Sequence, residues 1–179
     1  FCSGLDMKET ATSMMSRSAE EIYLLQARVG QLYYRMRKIP QPIIAAVHGV
    51  AFGGGFQVCL GADLRYAAPD TRFSIMEIKW GIIPDMSFTV TLPNLLREDR
   101  VRELCYTGRV VDAEEAHSLG LLTELTAQPL EKASQVAAAA EQLPDKRGVS
   151  GTPDFSVATL FFASGPVARL TCSNPRSKN

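Results

Sequence analysis

Three consecutive glycines, Gly53, Gly54 and Gly55, close the segment PIIAAVHGVAFGGGFQ at residues 42–57. A run of this kind behind an apolar stretch limits what can be built there. With no Cβ, each residue lets backbone, side chain or ligand come close to the main chain. If a helix follows, the exposed N–H groups also lie at its positive end. Such a turn can hold a phosphate, hold a developing oxyanion, or simply seat a helix tightly on a strand. The chain has no Gly-x-x-x-x-Gly-Lys-Ser/Thr, which excludes the nucleoside-triphosphate loop. Gly49, Gly53 and Gly55 do not have the Gly-x-Gly-x-x-Gly spacing of a dinucleotide site.

A second small-residue turn opens the chain, Phe1-Cys2-Ser3-Gly4-Leu5-Asp6. The N–H of Leu5 can face a donor from the glycine run, and two turn amides aimed at one carbonyl form an oxyanion hole. Residues 73–89 read FSIMEIKWGIIPDMSFT, which sets Glu77 and Asp85 in apolar surroundings. Carboxyls so placed are candidates for raised pKa values and proton transfer. The ordinary alternatives are an ion-paired surface glutamate at Glu77 and a helix N-cap at Asp85, directly after Pro84.

The stretches FCSGLD, IPQPIIAAVHGVAFGGGFQ, GADLRYAAPDTRFSIMEIKWGIIPD and YTGRVVDAEEAHSLGLLTEL occur in this order between residues 1 and 125. In order and spacing the chain resembles the crotonase family, the enoyl-CoA hydratase/isomerase superfamily, over about residues 1–140. The resemblance implies an α/β crotonase-like fold wound from ββα turns, incomplete at both ends. It implies an oxyanion hole from the amides of Leu5 and Gly54, which polarises an acyl-CoA thioester so that an enolate forms. It implies substrate contacts from Ser3, Asp6, Met7, Gly53 and Pro84. Glu77, Asp85 and Gln57 occupy its catalytic positions. Hydratases of the family carry glutamate where this chain has Gln57, and an amide cannot take a proton from water. Glu77 and Asp85, eight residues apart, match a pair found in members that shift double bonds, and two carboxyls suffice for a proton shuttle. After Met86 the family often has two small residues; this chain has Ser87 and Phe88. The Phe88 ring can narrow the acyl pocket or join the core.

The implied function is an enoyl-CoA hydratase or a dienoyl- or enoyl-CoA isomerase of fatty-acid metabolism. The alternative is a weak or inactive crotonase-like chain that binds CoA thioesters without turnover. No cofactor is expected, coenzyme A being part of the substrate, and no metal. Two histidines, His48 and His117, are too isolated for a metal site. Nucleic acid is not an expected partner, because 19 basic and 19 acidic residues leave zero net charge and no basic stripe. No apolar run reaches the length of a membrane span. Cys2, Cys59, Cys105 and Cys172 show no Cys-x-x-Cys spacing and read as free thiols. The expected compartment is the cytoplasm or a mitochondrial or peroxisomal matrix; no targeting segment can be read from a chain that starts inside its first motif.

Periodicity predicts helices over 19–38, where Ser18 and Glu21 form a capping box, and over 54–61, 86–97, 98–105, 112–118 and 129–142. It predicts strands over 43–48, 63–67, 72–74 and 121–125, an alternation typical of parallel α/β sheets. One acyl-CoA-binding core is expected over 1–142. The segment 143–179, punctuated by glycine and proline, is expected to be irregular, with 157–163 a short strand or helix. Relative to the family, strands before Phe1 and helices after 143, which cover the site and build a trimer, are expected to be missing. The chain alone is therefore expected to dissolve poorly and turn over slowly, and to form the family's trimer or hexamer only if its ends allow. Glu77, Asp85 and Gln57 are expected to line one pocket with Trp80 packed nearby.

Overall fold

A computed structural model describes residues 1–4, 6–36, 38–39, 42–86, 88–141, 158–161 and 169–171. Helix α1 runs over Met7–Met15 and α2 over Ala19–Met36. Strands β1 (Ile43–Val47) and β2 (Val50–Phe52) lead into α3 (Gly54–Leu60). Strands β3 (Leu64–Ala67) and β4 (Arg72–Ser74) lead into a 3₁₀ turn, Glu77–Trp80. Helix α4 (Phe88–Thr91) passes into a second 3₁₀ turn, Leu92–Asn94, before α5 (Glu98–Thr107). Strand β5 (Val111–Asp112), α6 (Ala113–Ser118), β6 (Glu124–Leu125) and α7 (Pro129–Glu141) follow. Two further strands are β7 (Ala158–Phe161) and β8 (Arg169–Thr171).

The strands divide between two sheets. One has the order β6-β3-β1-β7-β8, and the other β2-β4-β5. The passes β1–β2 and β3–β4 each give one strand to each sheet, then a helical segment. Accordingly β1 pairs with β3 and β2 with β4, both in parallel. This is a coil of ββα turns. Strand β1 also pairs in parallel with β7, so it is interior to its sheet, and all five of its residues are buried. Ile43, Ala45 and Val47 face the main core with Phe56, Leu60 and Phe73. Ile44 and Ala46 face the other way, onto Tyr66 and Ala133 under α7. A strand covered on both faces reads as an unbroken apolar run, as this one does.

Local chemistry sets the element ends. The capping box at α2 is formed: the Ser18 N–H donates to Glu21 Oε2 at 2.8 Å, and the Glu21 N–H to Ser18 Oγ at 3.2 Å. Strand β3 starts one residue later than expected because Asp63 closes the edge of β1: its Oδ2 accepts from the Ile43 N–H, and its own N–H donates to Ile43 O. The expected helix over 86–97 is broken, since Pro93 has no N–H and a 3₁₀ turn takes over. Leu121 is not in a strand. Its N–H donates to Ala116 O beside that of Gly120 to His117 O, the Schellman closure of α6, with Gly120 at φ +85°. Phe88 joins the core at 3% exposure and so does not narrow a pocket. Residues 158–161 form a strand; the rest of 143–179 apart from Arg169–Thr171 lies outside the described residues. Among the described residues Cys2, Cys59 and Cys105 are free thiols, and no helix is long and apolar enough to cross a membrane.

The opening segment is stitched to β2. The Cys2 N–H donates to Val50 O and Cys2 O accepts from the Phe52 N–H, both at 2.9 Å. Cys2 then leans on Gly55, where a Cβ would lie 2.6 Å from Cys2 Cβ and 2.7 Å from Cys2 O. We predict that Gly55→Ala destabilises the chain by about 1–3 kcal/mol, as overpacking does, measured by denaturant unfolding. Because Cys2 Cβ and its carbonyl remain, Cys2→Ala in the same chain will not restore the loss.

Candidate active site

Each glycine of the triplet meets a different neighbour. Gly53, at φ +53°, donates its N–H to Ser74 O at 2.9 Å, and a Cβ on it would stand 3.4 Å from Glu77 Oε1. A Cβ on Gly54 would stand 3.0 Å from Met86 Sδ, and one on Gly55 would meet Cys2. Bare backbone thus lets the Glu77 turn, the Met86 loop and the opening segment approach the same short run. The Gly54 N–H has no hydrogen-bond partner among the described residues.

Glu77 begins its 3₁₀ turn at only 6% exposure. Gly81, at φ +68°, ends that turn by donating its N–H to Ile78 O, while Ile82 donates to Glu77 O. From behind, α5 closes on the turn at Gly108, where a Cβ would come within 2.7 Å of Ile78 Cγ2. Gln57, on α3, is 2% exposed. Its Nε2 donates to Glu77 Oε1 at 2.6 Å, and its Oε1 accepts from the Met86 N–H at 2.9 Å. The other carboxyl oxygen, Glu77 Oε2, is buried with no hydrogen-bond partner among the described residues.

Burial is the main force on the Glu77 carboxyl and pushes its pKa above the usual carboxylate range. Its own main-chain N–H and the Gln57 amide pull the other way, and the charge of Asp85 adds to the rise. Cys105 on α5 is half-buried, and its thiol is pushed up to about 11, by burial first and by Glu77 second. It stays neutral beside the carboxyl.

The structure therefore brings Gln57, Glu77 and Gly54 together, with Met86 and the Asp85 charge close by. Asp85 itself is exposed, and a Cβ on Gly30 of α2 would lie 3.3 Å from its carbonyl. Pro84 is half-buried next to it. Trp80, expected to pack near these residues, is 58% exposed. It is the last residue of the four-residue 3₁₀ turn that Glu77 begins. Ser3 is exposed. Asp6 caps α1, its Oδ1 accepting from the N–H groups of Lys8 and Glu9, and Met7 is the first residue of that helix. Leu5 lies outside the described residues, and with it the expected convergence of two amides. Sequence reasoning missed Met86 and Gly30. Both act through backbone geometry, which leaves no residue-type signal. It also missed α1, although Asp6 with Glu9 three residues on is an N-terminal signature. Among the described residues no group of three His, Cys, Asp or Glu could hold a metal ion.

Comparison with known proteins adds to this geometry. A family model described as enoyl-CoA hydratase/isomerase matches residues 1–149. YngF of Bacillus subtilis (strain 168) is 37% identical over 141 residues, covering 78% of this chain and 53% of that protein. The mitochondrial methylglutaconyl-CoA hydratase of Homo sapiens is 33% identical over 128 residues, 72% of this chain and 37% of that protein. The crystal structure of enoyl-CoA hydratase from Bacillus anthracis superposes with a TM-score of 0.70 at 34% identity, covering 78% of this chain and 53% of that one. The chain spans about half the length, or less, of the curated relatives it matches.

A carboxyl whose pKa is raised on folding binds its proton more tightly in the folded state. Its contribution to stability is lost as pH rises from about 4.5, the unperturbed value, through the folded pKa. We predict that Glu77→Gln raises Tm at pH 8, and that the gain shrinks as pH approaches 4, where Glu77 is protonated in both states. Calorimetric scans of the two chains at both pH values check this.

Proposed function

The chain belongs to the enoyl-CoA hydratase/isomerase family, and from that premise we propose that it moves a proton along an enoyl-CoA thioester, as an isomerase, through the buried carboxyl of Glu77. The crotonase fold of its structural relatives supplies the frame. The observation that carries the reading is the pairing at Glu77: Oε1 is held by the Gln57 amide, while Oε2 is buried and without a partner.

In this reading the thioester oxygen sits against the Gly54 N–H and that of Leu5. A developing negative charge there is stabilised by fixed donors in a water-poor site. The Glu77 carboxylate removes a proton from the α-carbon of a 3-enoyl thioester. The C–H bond breaks, the O–H bond forms at Oε2, and the electron pair spreads into a dienolate ending on the thioester oxygen. The same O–H then gives its proton to the γ-carbon. The double bond now lies between the α- and β-carbons, and no atom is gained or lost. Gln57 takes no part in proton transfer, because its amide has no basic site at neutral pH. A second reading, hydration of the 2-enoyl thioester, is favoured by the hydratase names of the relatives. It would use the carboxylate of Asp85, near enough to Glu77 to raise its pKa, on the water.

General acid–base groups contribute about 10²–10⁴-fold to rate. We predict that Glu77→Gln lowers the rate of 3-enoyl- to 2-enoyl-CoA conversion by that factor, with acyl-CoA Kd within about threefold of the unaltered chain. Absorbance of the conjugated thioester and calorimetric titration are the measurements. Full activity in the variant would remove Glu77 from the mechanism. Hydration without isomerisation in the unaltered chain would select the second reading, and ligand binding with no turnover of either kind would make the chain a binding module. The kcat/KM of the isomerisation should climb with pH through one ionisation lying above the usual carboxylate range, since the base must be ionised.

A further inference from the structure

We infer that Gln57 is a positioning residue: its amide orients the Glu77 carboxyl so that Oε2 alone carries the transferred proton. The inference rests on the acid–base reading of Glu77 given above. A main-chain N–H can only donate. The Met86 N–H therefore fixes the Gln57 oxygen on its own side, at 2.9 Å, and turns the NH₂ group toward Glu77 Oε1 at 2.6 Å. An oxygen that accepts from this donor behaves as the carbonyl-like oxygen of the carboxyl, so a proton bound by Glu77 resides on Oε2. Gly53 walls the Oε1 side, with space for a Cβ only at 3.4 Å from that oxygen. Rotation of the carboxyl would break the hydrogen bond from Gln57 Nε2 and leave a buried donor unpaired, which is costly. The chain thus trades a second acid–base group at position 57 for a fixed orientation of the first.

The groups facing Glu77 from the surrounding elements are few. Asp85 contributes negative charge from its loop, Cys105 a neutral thiol from α5, and α3 only the uncharged Gln57. A glutamate at position 57 would set two carboxyls at the present 2.6 Å contact, where they must share a proton.

The test follows Glu77 in the substrate-free chain, by the infrared carboxyl signal of the unaltered protein minus Glu77→Gln. Gln57→Leu removes the donor at similar volume. We expect it to raise the Glu77 ionisation by about one pH unit. We also expect kcat to fall about tenfold at neutral pH, with partial recovery at higher pH and KM within about threefold. Gln57→Glu, which keeps the shape, should titrate with Glu77 in two coupled steps. If Gln57→Leu is folded and leaves the Glu77 titration and the pH profile in place, Gln57 merely fills space. Independent titration of the two carboxyls in Gln57→Glu overturns the inference even if Gln57→Leu does not fold. A shift in the titration with no isomerase activity in the unaltered chain keeps the positioning role and sinks the reaction instead.

Discussion

Everything at the candidate site depends on backbone approach at residues 53–55. The opening segment at Cys2, the turn at Glu77 and the loop at Met86 all approach this run of bare backbone. A Cβ on Gly55 would collide with Cys2, one on Gly54 would crowd Met86 Sδ at 3.0 Å, and Gly53 is held to glycine by its φ of +53°. That is a stronger constraint than the flexibility of glycine alone, because a steric requirement of this kind cannot be met by a small residue in general.

The hydrogen bonds then convert proximity into chemistry. Gln57 lies between two partners of opposite demand, a main-chain donor and a carboxyl acceptor, and only one setting of its amide satisfies both. Burial keeps water from the far carboxyl oxygen, and the net effect is a carboxyl that holds its proton more readily than one in solvent. The amide eases that effect without abolishing it.

The sequence was informative wherever a residue type has one dominant use. The apolar run of β1, the Ser18–Glu21 box and the glycine triplet could be read from residue types and their order, whereas the meeting of Glu77 with position 57 came only from the family resemblance. Legibility failed where geometry depends on partners. Pro93 cut a helix that periodicity had continued, Gly120 turned Leu121 from a strand into a helix closure, and the very short strands β2 and β5 lie below the length at which alternation is a usable signal. Trp80, expected near the buried acid, ends the same 3₁₀ turn with its side chain largely exposed.

The position of β1 has a consequence for how the chain reaches this state. Its partner β3 lies one coil turn away, so Ile44 meets Leu64 by closing a short loop. Its other partner, β7, joins Ile43 to Ala158 across most of the chain. Loop-closure entropy grows with separation, and contacts of long range slow folding. The pairing of β1 with β3 is thus local, whereas its pairing with β7 waits until residues 158–161 have been made. The delay between the two is set by that separation rather than by the strength of either pairing.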